Sequence, residues 1–250
     1  MLSPVRWSYL KEFRKSAAHY AYSLTAPRKE SAAMRLGTAV HRLVLEGVML
    51  PVFDGTRRGK EWEAFKANEP DGSTILSKDE SEAAFAIANS VEQNPHAARV
   101  LKGDHERRIE WNLADRACAG TPDVIGTGFL TDLKITADSS PQRFPFHARK
   151  MGWNAQLPWY RNGYGIFTGL DTTGFDLFIV AAESKPPYPV TVFQLTPSAI
   201  DMGERTWRSC FEQLLVCEAS DSWPGYTSAI QPLDAIEDFQ LTVDGEEIDV

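Results

Sequence analysis

Apolar residues in the first hundred positions recur every three or four residues, which is the spacing of amphipathic helices. Small, polar or glycine residues mark where each helix should begin and end. Three helices are predicted here: one opened by Ser3-Pro4 and running to about Phe13, one over 31–46 that Gly47 ends, and one that begins at the capping-box residues Ser77 to Glu80. The polar, glycine-containing segment 54–73 is predicted to be a loop or a partly ordered excursion.

From about residue 105 the pattern changes to short β-type runs separated by turn formers such as Ala119-Gly120. Strands are predicted over 107–113, 122–126, 129–135, 174–182 and 190–195. Helical spacing returns over 141–150 and 154–167, and a last helix capped by Thr196 runs to about Glu218. This order of elements predicts a single α/β domain with a central mixed β-sheet flanked by helices.

The charge of the chain argues at first against a nucleic-acid partner, because phosphate contacts need a basic surface. The 250 residues hold 26 Lys and Arg against 34 Asp and Glu, a formal charge of −8. From Ser209 to Val250, however, there are ten acidic residues and no Lys or Arg, so residues 1–208 hold 26 basic and 24 acidic side chains. We therefore predict a folded domain over 1–226, compatible with DNA, and an acidic C-terminal tail over 227–250.

Cysteine content and apolar runs bear on the cellular location. The three cysteines form no CxxC pair, which favours a reducing cytosol over a disulfide framework. No signal peptide and no apolar run of membrane-spanning length are recognised. A cytoplasmic protein without a membrane partner is therefore expected.

The most informative segment is 121–134, in which Thr127-Gly128 has the composition of a two-residue hairpin loop. That register places Asp123 directly opposite Asp132, at a separation of roughly 4.5–5.5 Å between Cβ atoms. Two ionised carboxylates repel at this distance unless a cation lies between them. Lys134 points to the same strand face as Asp132. Two carboxylates and one ammonium are suited to Mg²⁺-assisted attack of water on a phosphodiester.

The alternative interpretation is that Asp132 and Lys134 form a weak surface pair on a solvated strand face, as D-x-K triplets commonly do. Glu110, in the preceding predicted strand, faces either the metal or the solvent by alternation, and a solvated or structural role is favoured for it. These residues alone leave the function open.

Pro122-Asp123, followed after eight residues by Asp132-Leu133-Lys134, resembles the motif of the PD-(D/E)XK nuclease superfamily. Three further segments resemble the RecE-like (exodeoxyribonuclease VIII type) exonuclease branch of that superfamily. The supporting segments are Gly37-Thr38-Ala39-Val40-His41, similar to a G-T-x-x-H helix motif; Gln156 to Tyr160, similar to a Q-x-x-x-Y motif; and Trp223-Pro224-Gly225-Tyr226, similar to a C-terminal signature. The resemblance covers about residues 1–226. It departs from the pattern at Pro158, which predicts that this helix starts near Asn154 or Ala155 so that the proline falls in the first turn.

The resemblance implies a restriction-endonuclease-like core and a set of site residues. The expected metal ligands are His41, Asp123, Asp132 and the Leu133 carbonyl, and the expected catalytic residues are Asp123, Asp132, Lys134 and His41, with Lys134 activating or positioning the water. Gln156 and Tyr160 would help to hold DNA or catalytic side chains. Arg143 and Lys150 either bind phosphates or belong to a solvated helix face.

The implied activity is Mg²⁺-dependent digestion of linear double-stranded DNA from 5′ to 3′, with Mn²⁺ as a possible substitute, leaving a 3′ single strand for a RecT-type annealing protein. A ring-shaped homo-oligomer and a phage or prophage setting would fit this branch. Two alternatives stay open: a RecB-like nuclease acting on single strands or particular DNA structures, and a catalytically inactive DNA- or protein-binding module of the same fold.

Overall fold

A computed structural model describes residues 3–27, 30–232, 241–243 and 246–248. The helices are α1 (Trp7–Leu10), continued by a 3-10 turn (Lys11–Arg14), α2 (Ala17–Thr25), α3 (Ala32–Glu46), α4 (Gly59–Ala67), α5 (Lys78–Gln93), α6 (Pro95–Val100), α7 (Phe144–Met151), α8 (Trp153–Thr168) and α9 (Pro197–Ser220). The strands are β1 (Asp104–His105), β2 (Ile109–Leu113), β3 (Arg116–Gly120), β4 (Val124–Gly126), β5 (Phe129–Thr136), β6 (Asp176–Glu183), β7 (Val190–Gln194), β8 (Leu241–Val243) and β9 (Glu246–Ile248).

A five-stranded mixed sheet in the order β1-β4-β5-β6-β7 forms the centre of the molecule. Only β5 and β6 run parallel, and the other neighbouring pairs are antiparallel. One face packs against α3, α5 and α6 through residues such as Leu133 and Val180. The other face packs against α1, α2, α8 and α9 through residues such as Leu130 and Ile179. The predicted α/β architecture with a mixed central sheet is confirmed.

The start of the chain differs from the prediction. Val5 is extended rather than helical, because its N–H donates to Ala117 O at 2.9 Å and its carbonyl accepts from Ala119 N at 2.8 Å. The segment thus pairs alongside β3, and the first helix begins only at Trp7. By contrast, the second predicted helix is confirmed, with Ser31 as N-cap and Gly47 in the left-handed conformation that ends it.

Two further sequence predictions are wrong. The predicted loop 54–73 contains α4, where Trp62 and Phe65 pack their rings 5.3 and 5.1 Å from Phe53. The predicted turn at Ala119-Gly120 is the end of strand β3. The turn instead falls at Ala114 and Asp115, which have φ of 45° and 60°. A Cβ on Gly120 would lie 2.6 Å from the Tyr160 ring, so glycine is needed there for close packing.

Pro158 is the sixth residue of α8 and does not lie in the first turn as predicted. It has no N–H to donate to the Asn154 carbonyl one turn earlier. A Cβ on Gly203 of α9 would lie 2.4 Å from that carbonyl oxygen. The proline is therefore accommodated at a point where α8 and α9 approach each other closely, which only the absence of a side chain at 203 permits.

The predicted acidic tail lies only partly within the described residues. Positions 233–240, 244–245 and 249–250 fall outside them, so the domain boundary at 226 stays a prediction. Leu241–Val243 and Glu246–Ile248 pair as an antiparallel two-stranded sheet, which the sequence pattern did not indicate. Among the described residues, no helix has the length and apolar character needed to span a membrane.

Candidate active site

The β4–β5 hairpin has the predicted register, with Gly126 paired to Phe129 and Val124 to Thr131. One step further along this register, Asp123 and Asp132 lie across from each other. The Oδ2 atom of Asp123 accepts a hydrogen bond from the backbone N–H of Leu133 at 2.7 Å. This bond fixes a buried carboxylate next to Asp132.

Asp132 lies on the sheet face that packs against α8 and has no solvent exposure. Its Oδ1 accepts a hydrogen bond from Gln156 Nε2 at 3.1 Å, and its Oδ2 forms an ion pair with the ammonium of Lys134. No well-directed hydrogen bond satisfies that Oδ2 among the described residues. Burial raises the pKa of the Asp132 carboxyl above its ordinary value, although Lys134 opposes this.

Lys134 is kept in its charged form by its surroundings. Burial alone would lower the pKa of its ammonium, but Asp132 and Asp123 outweigh that effect, and the pKa is raised. The Nζ atom also lies 5.7 Å from the ring centroid of Trp153. The buried Asp132–Lys134 pair excludes the alternative of a weak surface pair on a solvated strand face.

His41 projects from α3 towards the same end of β5. Its Nε2 lies 2.8 Å from the Leu133 carbonyl oxygen, which can only accept, so Nε2 carries the proton and donates. In the neutral ring this leaves a lone pair on Nδ1, which lies 3.7 Å from Asp123 Oδ2 and 3.8 Å from Glu106 Oε1. Burial lowers the pKa of His41, but Asp123 and Glu106 outweigh it and leave the pKa raised.

Glu106 was not identified from the sequence. It follows the short strand β1, has φ of +48°, and donates its backbone N–H to Asp123 O at 3.1 Å. Its place beside Asp123 results from the pairing of His105 with Val124, a contact that no local periodicity encodes. Glu110, which sequence reasoning considered instead, is exposed and bonded to Arg108 at 2.8 Å, in agreement with the solvated role expected for it.

The donor set fits a divalent cation. His41, Glu106 and Asp123 each offer a ligand atom, and these atoms lie within 4.8 Å of one another. Carboxylate oxygens suit Mg²⁺, and an imidazole nitrogen extends the preference towards Mn²⁺. The Oδ2 of Asp132, which is ion-paired with Lys134 but lacks a well-directed hydrogen bond in the described residues, is a buried acceptor that a cation could also contact. The Leu133 carbonyl, also predicted as a ligand, is bonded to His41.

The predicted substrate-binding residues fall into two groups. Gln156 Nε2 bridges Asp132 Oδ1 and the Tyr160 hydroxyl, the latter at 3.2 Å, and Tyr160 is only 8% exposed. These contacts favour a role in holding Asp132 over direct contact with DNA. Burial raises the pKa of Tyr160, so its hydroxyl stays protonated. Arg143 and Lys150 are exposed at the two ends of α7 and do not touch the carboxylate cluster.

Comparison with known proteins identifies the fold and the family. Residues 7–235 match the family described as PDDEXK-like domain of unknown function (DUF3799). The structure resembles that of a protein from Eubacterium rectale named "putative exonuclease", with a TM-score of 0.66, 15% identity, and 92% of this chain and 91% of that chain covered.

A second structure, SSO0001, overlaps with a TM-score of only 0.30 at 10% identity, over 82% of this chain and 85% of that one, which is too low to support any inference. A comparison with curated proteins finds no match. PDDEXK nucleases use divalent metals, in keeping with the His41, Glu106 and Asp123 cluster. The chain therefore belongs to the PDDEXK-like family, within the PD-(D/E)XK nuclease superfamily.

Proposed function

We propose that this protein is a metal-dependent exonuclease that degrades linear double-stranded DNA from 5′ to 3′. The observation that carries the proposal is the buried Asp132–Lys134 pair beside the cluster of His41, Glu106 and Asp123. These acidic residues and His41 would hold Mg²⁺ or Mn²⁺. When bound, such an ion acidifies water and stabilises negative charge on a phosphodiester.

The protein's own residues supply positioning and charge. Because Lys134 is held as an ammonium, it acts as a donor to the attacking oxygen or to a phosphate oxygen, and does not take up a proton. Gln156 fixes the orientation of Asp132, and the Leu133 N–H fixes that of Asp123. His41 is oriented by the Leu133 carbonyl. A pre-organised set of this kind needs little rearrangement during reaction.

Two surface features support a DNA substrate. A cavity of about 170 Å³ beside Tyr160 is lined by Arg6, Ser8, Arg108 and Thr121, a set of donors suited to a phosphate group. Arg143 and Lys150 expose further positive charge on α7. Resemblance to the RecE-like branch supports the 5′-to-3′ polarity, a ring-shaped homo-oligomer and a RecT-type annealing partner. The same resemblance supports the cytoplasm of a bacterium carrying a phage or prophage as the setting.

The test uses purified protein with 5′-labelled linear duplex, nicked circular duplex and single-stranded DNA in Mg²⁺, Mn²⁺ or EDTA. Metal-dependent release of nucleotides from linear duplex alone is the expected result. A preference for single strands or flaps would favour the RecB-like alternative. Binding without cleavage in either metal would identify an inactive module and overturn the proposal. The Asp132→Asn variant should fold like wild type but should not cleave DNA.

A further inference from the structure

The segment formed by α1 and the following 3-10 turn packs against the junction of α7 and α8. Trp7 Nε1 donates to Gly152 O at 2.9 Å, and Arg14 Nη2 donates to Arg149 O at 2.5 Å. Lys11 is four residues after Trp7 and three before Arg14, so the three side chains share one face of the helical segment. The Lys11 side chain is thereby directed to the same junction.

This junction lies beside the catalytic lysine, because Trp153 directly follows Gly152 and its ring lies next to Lys134 Nζ. The two ammonium groups influence each other. Burial lowers the pKa of Lys11, Glu12 opposes this, and the charge of Lys134 lowers the pKa further. Lys11 is thus a half-buried cation within electrostatic reach of the active site.

The neighbouring cations all have partners within the protein. Lys134 forms an ion pair with Asp132, and Lys15 forms one with Glu12 at 2.8 Å. Arg14 donates hydrogen bonds to the carbonyls of Arg149 and Lys150. Lys11 makes no hydrogen bond or ion pair with any residue in the described part of the chain. Glu12, the carboxylate that raises the pKa of Lys11, is itself paired with Lys15, so a bound anion would lower the cost of withdrawing the Lys11 ammonium from water.

We propose that Lys11 binds a backbone phosphate of the DNA next to the bond being cut, as a second cation of the active site beside Lys134. The inference rests on the proposed nuclease function. Lys134, already paired with Asp132, acts on the reacting phosphate. Lys11, which forms no ion pair in the described part of the chain, is left to neutralise the neighbouring phosphate of the backbone. It is a substrate-binding residue that the sequence motifs do not include.

The test compares Lys11→Met with Lys15→Met, a matched control on the same turn whose ammonium is mostly exposed and paired with Glu12. Lys11→Met should raise the KM for linear duplex about tenfold, the worth of one charge-assisted contact, while kcat changes little. The slope of log affinity against log salt, measured in EDTA, should fall by about one. Lys11→Arg should restore most of the affinity, and Lys15→Met should resemble wild type.

Thermal unfolding of each variant controls for folding, since a purely structural role would lower stability without changing the salt slope. Equal KM and equal salt slope for Lys11→Met and Lys15→Met would overturn the proposal even though wild type cleaves DNA. Absence of cleavage by wild type would instead refute the nuclease function, and the salt slopes in EDTA would still decide whether Lys11 contacts a phosphate.

Discussion

The Asp123 carboxylate accepts a hydrogen bond from the backbone N–H of Leu133, the residue between Asp132 and Lys134. The Asp123 side chain therefore links the start of β4 to β5 at the candidate site. Asp123 also offers a carboxylate oxygen to the candidate metal cluster. The same residue thus has a structural and a chemical role, and these can be separated by mutation.

Asp123→Ala should abolish cleavage and also lower the free energy of unfolding by about 1–3 kcal/mol, because a buried N–H loses its partner. Asp123→Asn keeps an oxygen that can accept this bond but removes the charge. We expect it to lose activity while retaining most of the stability. Urea unfolding together with a nuclease assay distinguishes the two roles, and equal stability losses in both variants would contradict this account.

Glu106→Gln should raise the concentration of Mg²⁺ or Mn²⁺ needed for half-maximal activity by about tenfold or more, since it removes a charged ligand from the cluster. Glu110→Gln is the matched control, because Glu110 is exposed and bonded only to Arg108 in the described structure. Metal titrations of both variants provide the measurement. Unchanged metal dependence in Glu106→Gln would remove this residue from the site.

Gln156→Leu should lower kcat by about tenfold while KM changes little, because Asp132 loses the donor that orients it. Tyr160→Phe removes only the hydroxyl that accepts from Gln156 and should have a smaller effect. Steady-state kinetics on linear duplex measure both variants. A rise in KM without a fall in kcat would indicate direct contact between Gln156 and DNA.

Glu80 should make stability depend on acid pH. Burial would raise the pKa of Glu80, but hydrogen bonds from Arg35, the Ser77 N–H and Arg57 lower it to about 2. The pKa of Glu80 is lower in the folded protein than its unfolded value of about 4.3, so the ionised carboxylate stabilises the fold at pH values above 4.3. This contribution is at most about 3 kcal/mol, and it is lost as the pH falls towards 2.

Glu80→Gln should therefore unfold more easily than wild type at pH 7 and approach it near pH 2. Glu82→Gln, a substitution of a neighbouring acid with no ion pair in the described residues, should follow the wild-type curve. Chemical unfolding at several pH values measures the difference. A stability gap between Glu80→Gln and wild type that does not narrow with acid would show that Glu80 is not the titrating group.

The sequence predicts best where the determinants are local. The register of the β4–β5 hairpin follows from its two-residue loop, so the placement of Asp123 across from Asp132 could be predicted. The helix over 32–46 follows from its cap residues, but only the resemblance of its motif to the nuclease branch pointed to His41 as a site residue. Glu106 could not, because its position depends on the pairing of β1 with β4. Ser3-Pro4 has the composition of a helix start, but hydrogen bonds with β3 override that preference.

The pairing of Val5 with β3 gives the first residues a protective role. Val5 occupies the N–H of Ala119 and the carbonyl of Ala117, which would otherwise lie along an open sheet edge. Open edges recruit strands from other molecules and lead to aggregation. Deleting the first six residues would therefore expose this edge of β3 and favour aggregation. None of the deleted residues belongs to the carboxylate cluster of the candidate site.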